Sequence, residues 1–357
     1  MKFLLIINFI VHITGVSAQP KQDSIDAFVV RQMKEQKIVG LSIGIIVYGK
    51  VTKVKGYGWA NLEAKASATE QSIYMLASVS KHMVAVGIMQ LMQQGRLSLS
   101  DPCTKYFPDA PAHWEKITLR HLMNHTSGLP RESLAFNPLQ AQPDSVLIKA
   151  AYNQRMVFET GTKWEYCNLG YFMLADIIRK VSGLPFQQYM TSNVFYNNGL
   201  IATEPTNSKK IIPFRADSYT HKGGDTILNA ETTLAFRPSG AFISCVNDML
   251  KWEMLIQQDK ILSKANWQQM WSDTVTSTLN HPGSNSVAYG YGWMRTTSQN
   301  RNVVFHTGSL AGFRTLFYRF PDEKTAIVLL ANSEPVDLMK VATGIADRLT
   351  PRLPSKK

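Results

Sequence analysis

Ser78-Val79-Ser80-Lys81 opens an apolar stretch that runs to Gln94 and stops at Gly95. Its length and spacing predict a helix over 78–94, which puts a hydroxyl at i and an amine at i+3 on one face. A serine at a helix start lies among backbone N–H groups that have no partner within the helix. That setting favours developing negative charge. A buried lysine that gives up its proton is a base for such a hydroxyl, so Ser78 is a candidate nucleophile and Lys81 its activator. The four-residue pattern is common by chance and needs support from the rest of the chain.

Working outward, 23–37 reads as an opening helix with Ile25, Phe28, Val29 and Met33 on one side. Leu41–Val47 and Val51–Tyr57 read as two strands around Tyr48-Gly49-Lys50, a hairpin. Near the other end, 302–306, 314–320 and 325–330 read as strands, with Pro321-Asp322-Glu323-Lys324 as a turn between the last two. A terminal helix follows over 336–349. Between these ends lie further helical patterns at 119–124, 169–181 and 244–257. The expected fold is therefore α/β of the α+β kind: an antiparallel sheet built from both chain termini and flanked by helices. Residues 19–69 and 286–357 would form the sheet-containing part, and 70–285 a mostly helical inserted part carrying Ser78 and Tyr166.

The 357 residues are 45% hydrophobic and 18% charged, a balance that predicts a packed core and excludes a disordered chain. Met1 to Ala18 reads as a secretory signal, with Lys2, an apolar run from Phe3 to Val11, and Val16-Ser17-Ala18 as a cleavage site. Export to the periplasm or outside the cell, without stable membrane insertion, is the expectation. Cys103, Cys167 and Cys245 are too few for a disulfide framework; one bridge would still leave a free thiol. No Cys/His cluster has metal-ligand spacing, and neither a metal nor another cofactor is expected. The formal charge of +12 is spread along the chain with no basic block interleaved with aromatics. A nucleic-acid partner is therefore not expected, whereas loose attraction to anionic surfaces such as envelope polymers fits.

Two further motifs accompany the serine–lysine pair: Tyr166-Cys167-Asn168 just before a helix, and His306-Thr307-Gly308 on a strand, followed by Ser309. The order S-x-x-K, Y-x-N, H-x-G resembles the serine β-lactamase and penicillin-binding family, in its class C-like branch. D-alanyl-D-alanine peptidases, D-aminopeptidases and esterases belong to the same branch. Gly95 to Pro102, Ile117 to Pro130, Phe158 to Gly183, Pro238 to Trp252, Tyr289 to Trp293 and Gly308 to Phe313 are also similar to that family's pattern. The likeness covers roughly 35–335.

The resemblance implies a β-lactamase/transpeptidase-like fold and an acyl-enzyme on Ser78. Lys81 would accept or relay the proton, and Tyr166, whose phenolate form a neighbouring lysine cation would favour, would pass it to the leaving group and activate the deacylating water. Asn168 would hydrogen-bond Lys81 and the substrate amide. The N–H groups of Ser78 and Ser309 would form an oxyanion hole, with Gly308 letting the substrate lie close to the strand.

His306 departs from the lysine usual in β-lactamases of this branch. A histidine, neutral at pH 7, would bind a carboxylate weakly and with pH dependence. That shifts the expectation toward a peptidase acting on D-amino-acid-containing peptides, a cell-wall peptide among them. A carboxylesterase or transesterase is the alternative, and a catalytically weak binding or sensor module a more distant one. Cys167 stands where serine is common and reads as a tolerated small residue. His125 reads as a loop anchor, His82 and His121 as packing or surface residues, Ser80 as lining the helix start, and Trp293 as a wall of the substrate cleft. Tyr289 to Trp293 reads as a closely packed strand, not a phosphate loop.

Overall fold

The computed structural model describes residues 24–349 apart from 138–139, 141, 207–208, 224–225, 231–241, 283 and 285. The expected signal over 1–18 lies outside the described residues, as does Pro238. The chain enters through helix α1 (Ser24–Gln36), then β1 (Gly40–Val47), β2 (Lys50–Asn61), β3 (Ala66–Ser67) and β4 (Tyr74–Met75). Helices α2 (Ser80–Gln93), α3 (Leu119–Met123), α4 (Asp144–Ala151), α5 (Asn168–Ser182) and α6 (Phe186–Tyr189) follow. Short strands β5 (Glu204–Pro205), β6 (Tyr219–His221), β7 (Ile227–Asn229) and β8 (Phe242–Ser244) lead to α7 (Val246–Gln257) and α8 (Lys264–Ser272). Next are β9 (Val275–Thr276), β10 (Ala288–Tyr289), β11 (Met294–Ser298), β12 (Arg301–Leu310) and β13 (Phe313–Phe320). The described chain closes with β14 (Thr325–Ala331), β15 (Ser333–Glu334) and α9 (Leu338–Leu349).

Both chain ends do share one sheet. Its order is β3-β2-β1-β14-β13-β12-β11-β10-β9, and β1 pairs antiparallel with β14, Leu41 opposite Ala331. The hairpin turn at Tyr48 and Gly49 has positive φ at both positions (50° and 76°), the twist a two-residue connection needs. Strands β1 and β14 are apolar apart from Ser42 and Thr325 because the sheet is covered on both faces there.

Period-two alternation divides their side chains between two cores. Leu41, Ile43, Ile45, Leu316, Tyr318, Ile327 and Leu329 pack with Phe28 of α1 and Val341 and Ile345 of α9. Val304, Phe317, Ala326, Val328 and Leu330 face the opposite core, with α2, α5 and α7. On that second face α7 lies so close that a Cβ on Gly44 would stand 2.7 Å from Leu250 and Val246.

The C-terminal part of the sheet begins with β9 at Val275, ahead of 286, and the intervening stretch is not only helical. It contributes to two small sheets, β4-β8-β5 and β15-β6-β7. Strands of two or three residues carry no readable alternation, which is why they are invisible in the sequence. The three cysteines are buried free thiols. Among the described residues no helix is long and apolar enough to cross a membrane, and no group of three or more His, Cys, Asp or Glu could hold a metal ion.

Candidate active site

Ser78 lies in a 3-10 turn, Ala77–Val79, that leads directly into α2. The expected helix over 78–94 therefore has a tighter first turn than its pattern predicts. Ala77 holds φ 50°, a left-handed backbone that is unfavourable for a residue with a Cβ. Neighbouring strands hold it there: the Thr315 hydroxyl donates to the Leu76 carbonyl at 2.7 Å, and the Leu76 N–H donates to the Phe242 carbonyl at 2.8 Å. The Phe242 N–H in turn donates to Ser80 Oγ at 3.2 Å, so Ser80 is a structural hydroxyl of the helix start. Gly308 of β12 passes directly beside this turn. A Cβ there would press into the Leu76 carbonyl and the Thr315 hydroxyl, so only glycine lets the strand approach. Ser309, next along, is exposed at the mouth.

Lys81 projects from the first turn of α2 and is fully buried. Its Nζ donates to Ser78 Oγ at 3.3 Å and lies over the rings of Tyr166 at 4.7 Å and Tyr171 at 5.4 Å. Tyr166 stands just ahead of α5. Burial pushes its phenol well above the ordinary range, only partly offset by the Ser78 hydroxyl and the Arg131 guanidinium. At neutral pH the phenol is therefore protonated, contrary to the expectation that a nearby lysine favours phenolate. Desolvation outweighs the cation here.

One residue pins both neighbours of Tyr166. The His125 carbonyl accepts the Glu165 N–H at 3.0 Å, and its Nδ1 accepts the Cys167 N–H at 3.2 Å. His125 itself has φ 64° and packs among Trp164, Tyr166, Tyr171 and Tyr289, which fits the anchoring role read from sequence. Burial holds its imidazole neutral.

Asn168 begins α5. Its side-chain amide donates to Glu132 Oε1 at 2.6 Å, and its N–H donates to the Arg131 carbonyl at 2.9 Å. Arg131 and Glu132 directly follow Pro130 at the end of the Ile117–Pro130 stretch. They were not singled out from sequence, although that position was the available signal. Tyr289 was likewise missed as a site residue.

His306 is buried, and both its nitrogens are engaged. Its Nδ1–H donates to the Thr307 carbonyl at 2.7 Å, which can only accept, and its Nε2 accepts from the Tyr289 hydroxyl at 2.8 Å. Burial and the Lys81 cation push the imidazole down to about 3. The expectation of a pH-dependent carboxylate ligand is not met: this ring is neutral and turned into the protein. Trp293 is also not a cleft wall. It is fully buried behind α2 and stacks on His82 at 4.1 Å, while the Trp252 indole donates to His82 Nε2 at 2.9 Å. His121 sits at the start of α3, where its Nδ1 accepts the Thr118 N–H at 3.2 Å.

Ser78, Lys81 and Tyr166 thus meet at the junction of α2, the start of α5 and β12. Asn168 caps one side and Gly308 with Ser309 the other. A sequence profile of the Beta-lactamase family matches residues 25–350. The chain belongs to the Beta-lactamase family. Members of this family are serine hydrolases.

Penicillin-binding protein 4* of Bacillus subtilis (strain 168) is 29% identical over 313 residues, 80% of this chain and 66% of that protein. Protein flp of Staphylococcus aureus (strain COL) is 27% identical over 320 residues, 87% of this chain and 63% of that protein. The chain thus spans just under two thirds of these relatives' length. Among solved structures, the octameric penicillin-binding protein homologue of Pyrococcus abyssi superposes with a TM-score of 0.83 at 25% identity, covering 93% of this chain and 78% of that one. D-amino acid amidase of Ochrobactrum anthropi SV3, in complex with D-phenylalanine, gives 0.80 at 23% identity, covering 91% and 98%.

Proposed function

We propose that the chain is a serine hydrolase that works through an acyl-enzyme on Ser78, with D-amino-acid-containing peptides or amides as its substrates. The observation that carries this reading is the Lys81 amine, fully buried, 3.3 Å from Ser78 Oγ and 4.7 Å from the Tyr166 ring. In acylation, Lys81 Nζ, in the neutral form left after it has released a proton to solvent, takes the Ser78 proton as Oγ attacks the substrate carbonyl. The protonated Tyr166 phenol gives its proton to the leaving amine and is re-protonated from Lys81. The acyl–nitrogen bond breaks and the acyl–Oγ bond remains. In deacylation water attacks the ester, its proton passes to the Lys81–Tyr166 pair, and Oγ regains a proton. The two groups act as one coupled unit. The N–H groups of Ser78 and Ser309 would hold the oxyanion.

A penicillin-binding relative and a D-amino acid amidase fold neighbour support the substrate class. Export and a cell-wall peptide as substrate belong to the same proposal, on the strength of the leader-like N-terminus and the charge of +12. A carboxylesterase or transesterase is the second reading. It is favoured by the neutral, inward-turned His306, which leaves β12 without a cation for a substrate carboxylate.

Intact-mass spectrometry after incubation with a penicillin and, separately, with an activated ester tests the proposal. An adduct on Ser78 that disappears in Ser78→Ala supports the acyl-enzyme; hydrolysis that persists in Ser78→Ala overturns it. Ester turnover without penicillin acylation moves the reading to the esterase.

A further inference from the structure

With His306 neutral, the charge at the mouth of the site comes from elsewhere. Lys81 is buried against Ser78. Arg314, opposite Ser309 across β12 and β13, is neutralised by Glu334 at 2.7 Å and donates to the Leu310 and Phe313 carbonyls. Arg131 differs from both. Its side chain is exposed, its guanidinium lies 5.2 Å over the Tyr166 ring, and among the described residues no carboxylate pairs with it. Its backbone is fixed nonetheless, because its carbonyl accepts the N–H groups of Asn168 at 2.9 Å and Leu169 at 3.1 Å. The adjacent carboxylate, Glu132, is already spent on the Asn168 amide at 2.6 Å. Among the described residues the site therefore presents one solvent-facing cation that is anchored to its own second motif and stacked on the side chain that faces the nucleophile.

We infer that Arg131 is a specificity-determining residue that selects substrates bearing a carboxylate beside the scissile bond. A planar guanidinium suits this role because it meets a carboxylate with two parallel N–H donors. The inference rests on the acyl-transfer reading of Ser78. It deepens that reading by assigning the substrate an anionic group and by moving its recognition from β12 to the loop after Pro130.

The test compares two aryl esters of N-acetyl-D-alanine, one leaving 3-carboxyphenol and the other its neutral isostere 3-carboxamidophenol. The readout is the ratio of the two kcat/KM values within one preparation, so partial unfolding of a variant lowers both values equally and leaves the ratio unchanged. The wild type should favour the anionic ester. Arg131→Gln should lower the ratio about tenfold, and Arg131→Lys, which keeps the charge but loses the fork, should fall between. Salt should compress the wild-type ratio and leave that of Arg131→Gln unchanged. A wild-type ratio near one, or a ratio unmoved by Arg131→Gln, overturns the inference while leaving the hydrolase intact; the guanidinium would then merely cover Tyr166. If neither ester is hydrolysed and Ser78 stays unlabelled, the hydrolase reading fails and this inference falls with it.

Discussion

Acid should destabilise this protein through histidines that the fold keeps neutral, and His306 allows the size to be worked out. Its imidazole sits at about 3 in the fold against 6.5 when free, because burial and the Lys81 cation both oppose a second charge. The unfolded chain therefore binds a proton below about 6.5 that the folded chain refuses until about 3. Its contribution is fully present above 6.5 and is lost as pH falls. At pH 4.5, two units below the free value, the loss is roughly 2–3 kcal/mol at 1.36 kcal/mol per unit. His306→Gln removes the titration and keeps an oxygen able to accept from the Tyr289 hydroxyl. Urea unfolding followed by tryptophan fluorescence at pH 7 and pH 4.5 reads the difference. The wild type should lose about 2–3 kcal/mol more than His306→Gln between the two pH values. His82 and His125, also held neutral chiefly by burial, remain in both proteins, so the difference reads His306 together with its repulsion on those two rings. Parallel losses in the two proteins would show that His306 is not held neutral, and a substrate-facing cation on β12 would return.

Four further outcomes follow from the same geometry. Lys81→Ala should slow acylation of Ser78 by about 10²–10⁴-fold with the fold retained, measured as adduct formation over time. Tyr166→Phe should lower kcat far more than it changes KM, because the phenol proton is needed at the leaving group and not for docking. Gly308→Ala should reduce acylation at least tenfold, since the new Cβ displaces either β12 or the turn carrying Ser78, and an unchanged rate would mean the close approach is dispensable. Away from the site, Glu253→Ala should cost about 3–5 kcal/mol in urea, because it strands the Arg319 guanidinium, 2% exposed and bonded to Glu253 at 2.5 Å.

The long elements were legible because each carries its own period. The strands at 40–47 and 325–331 are apolar apart from Ser42 and Thr325, and α5 shows its helical face and its stop at Gly183. The meeting of Ser78, Lys81 and Tyr166 could be expected only from the order of three motifs, since Lys81 and Tyr166 lie 85 positions apart. What could not be read is how each motif is held. Thr315 bonding to Leu76 spans 239 residues and has no local signature, yet it fixes the left-handed Ala77 ahead of the nucleophile.

The charge state of the site shows why residue type alone misleads. Histidine on β12 and tyrosine beside lysine both invite a reading from pairwise attraction: a titrating cation in one case, a phenolate in the other. Both are reversed by the same physical effect. His306 and Tyr166 lie where transferring a charge out of water costs more than a neighbouring charge or hydrogen bond returns, so each keeps its neutral form. The partner that completes the neutral histidine, Tyr289, ends the two-residue β10, and the stretch to Trp293 read as one strand leaves the sheet there, with Gly292 at φ 73°. The aromatic walls come from three separate segments. A neutral Tyr166 then acts as proton donor before it can act as base, which places the first proton transfer on Lys81. A neutral His306 likewise leaves the recognition of charge to an exposed group, and Arg131, stacked on Tyr166, is the side chain in position to do it.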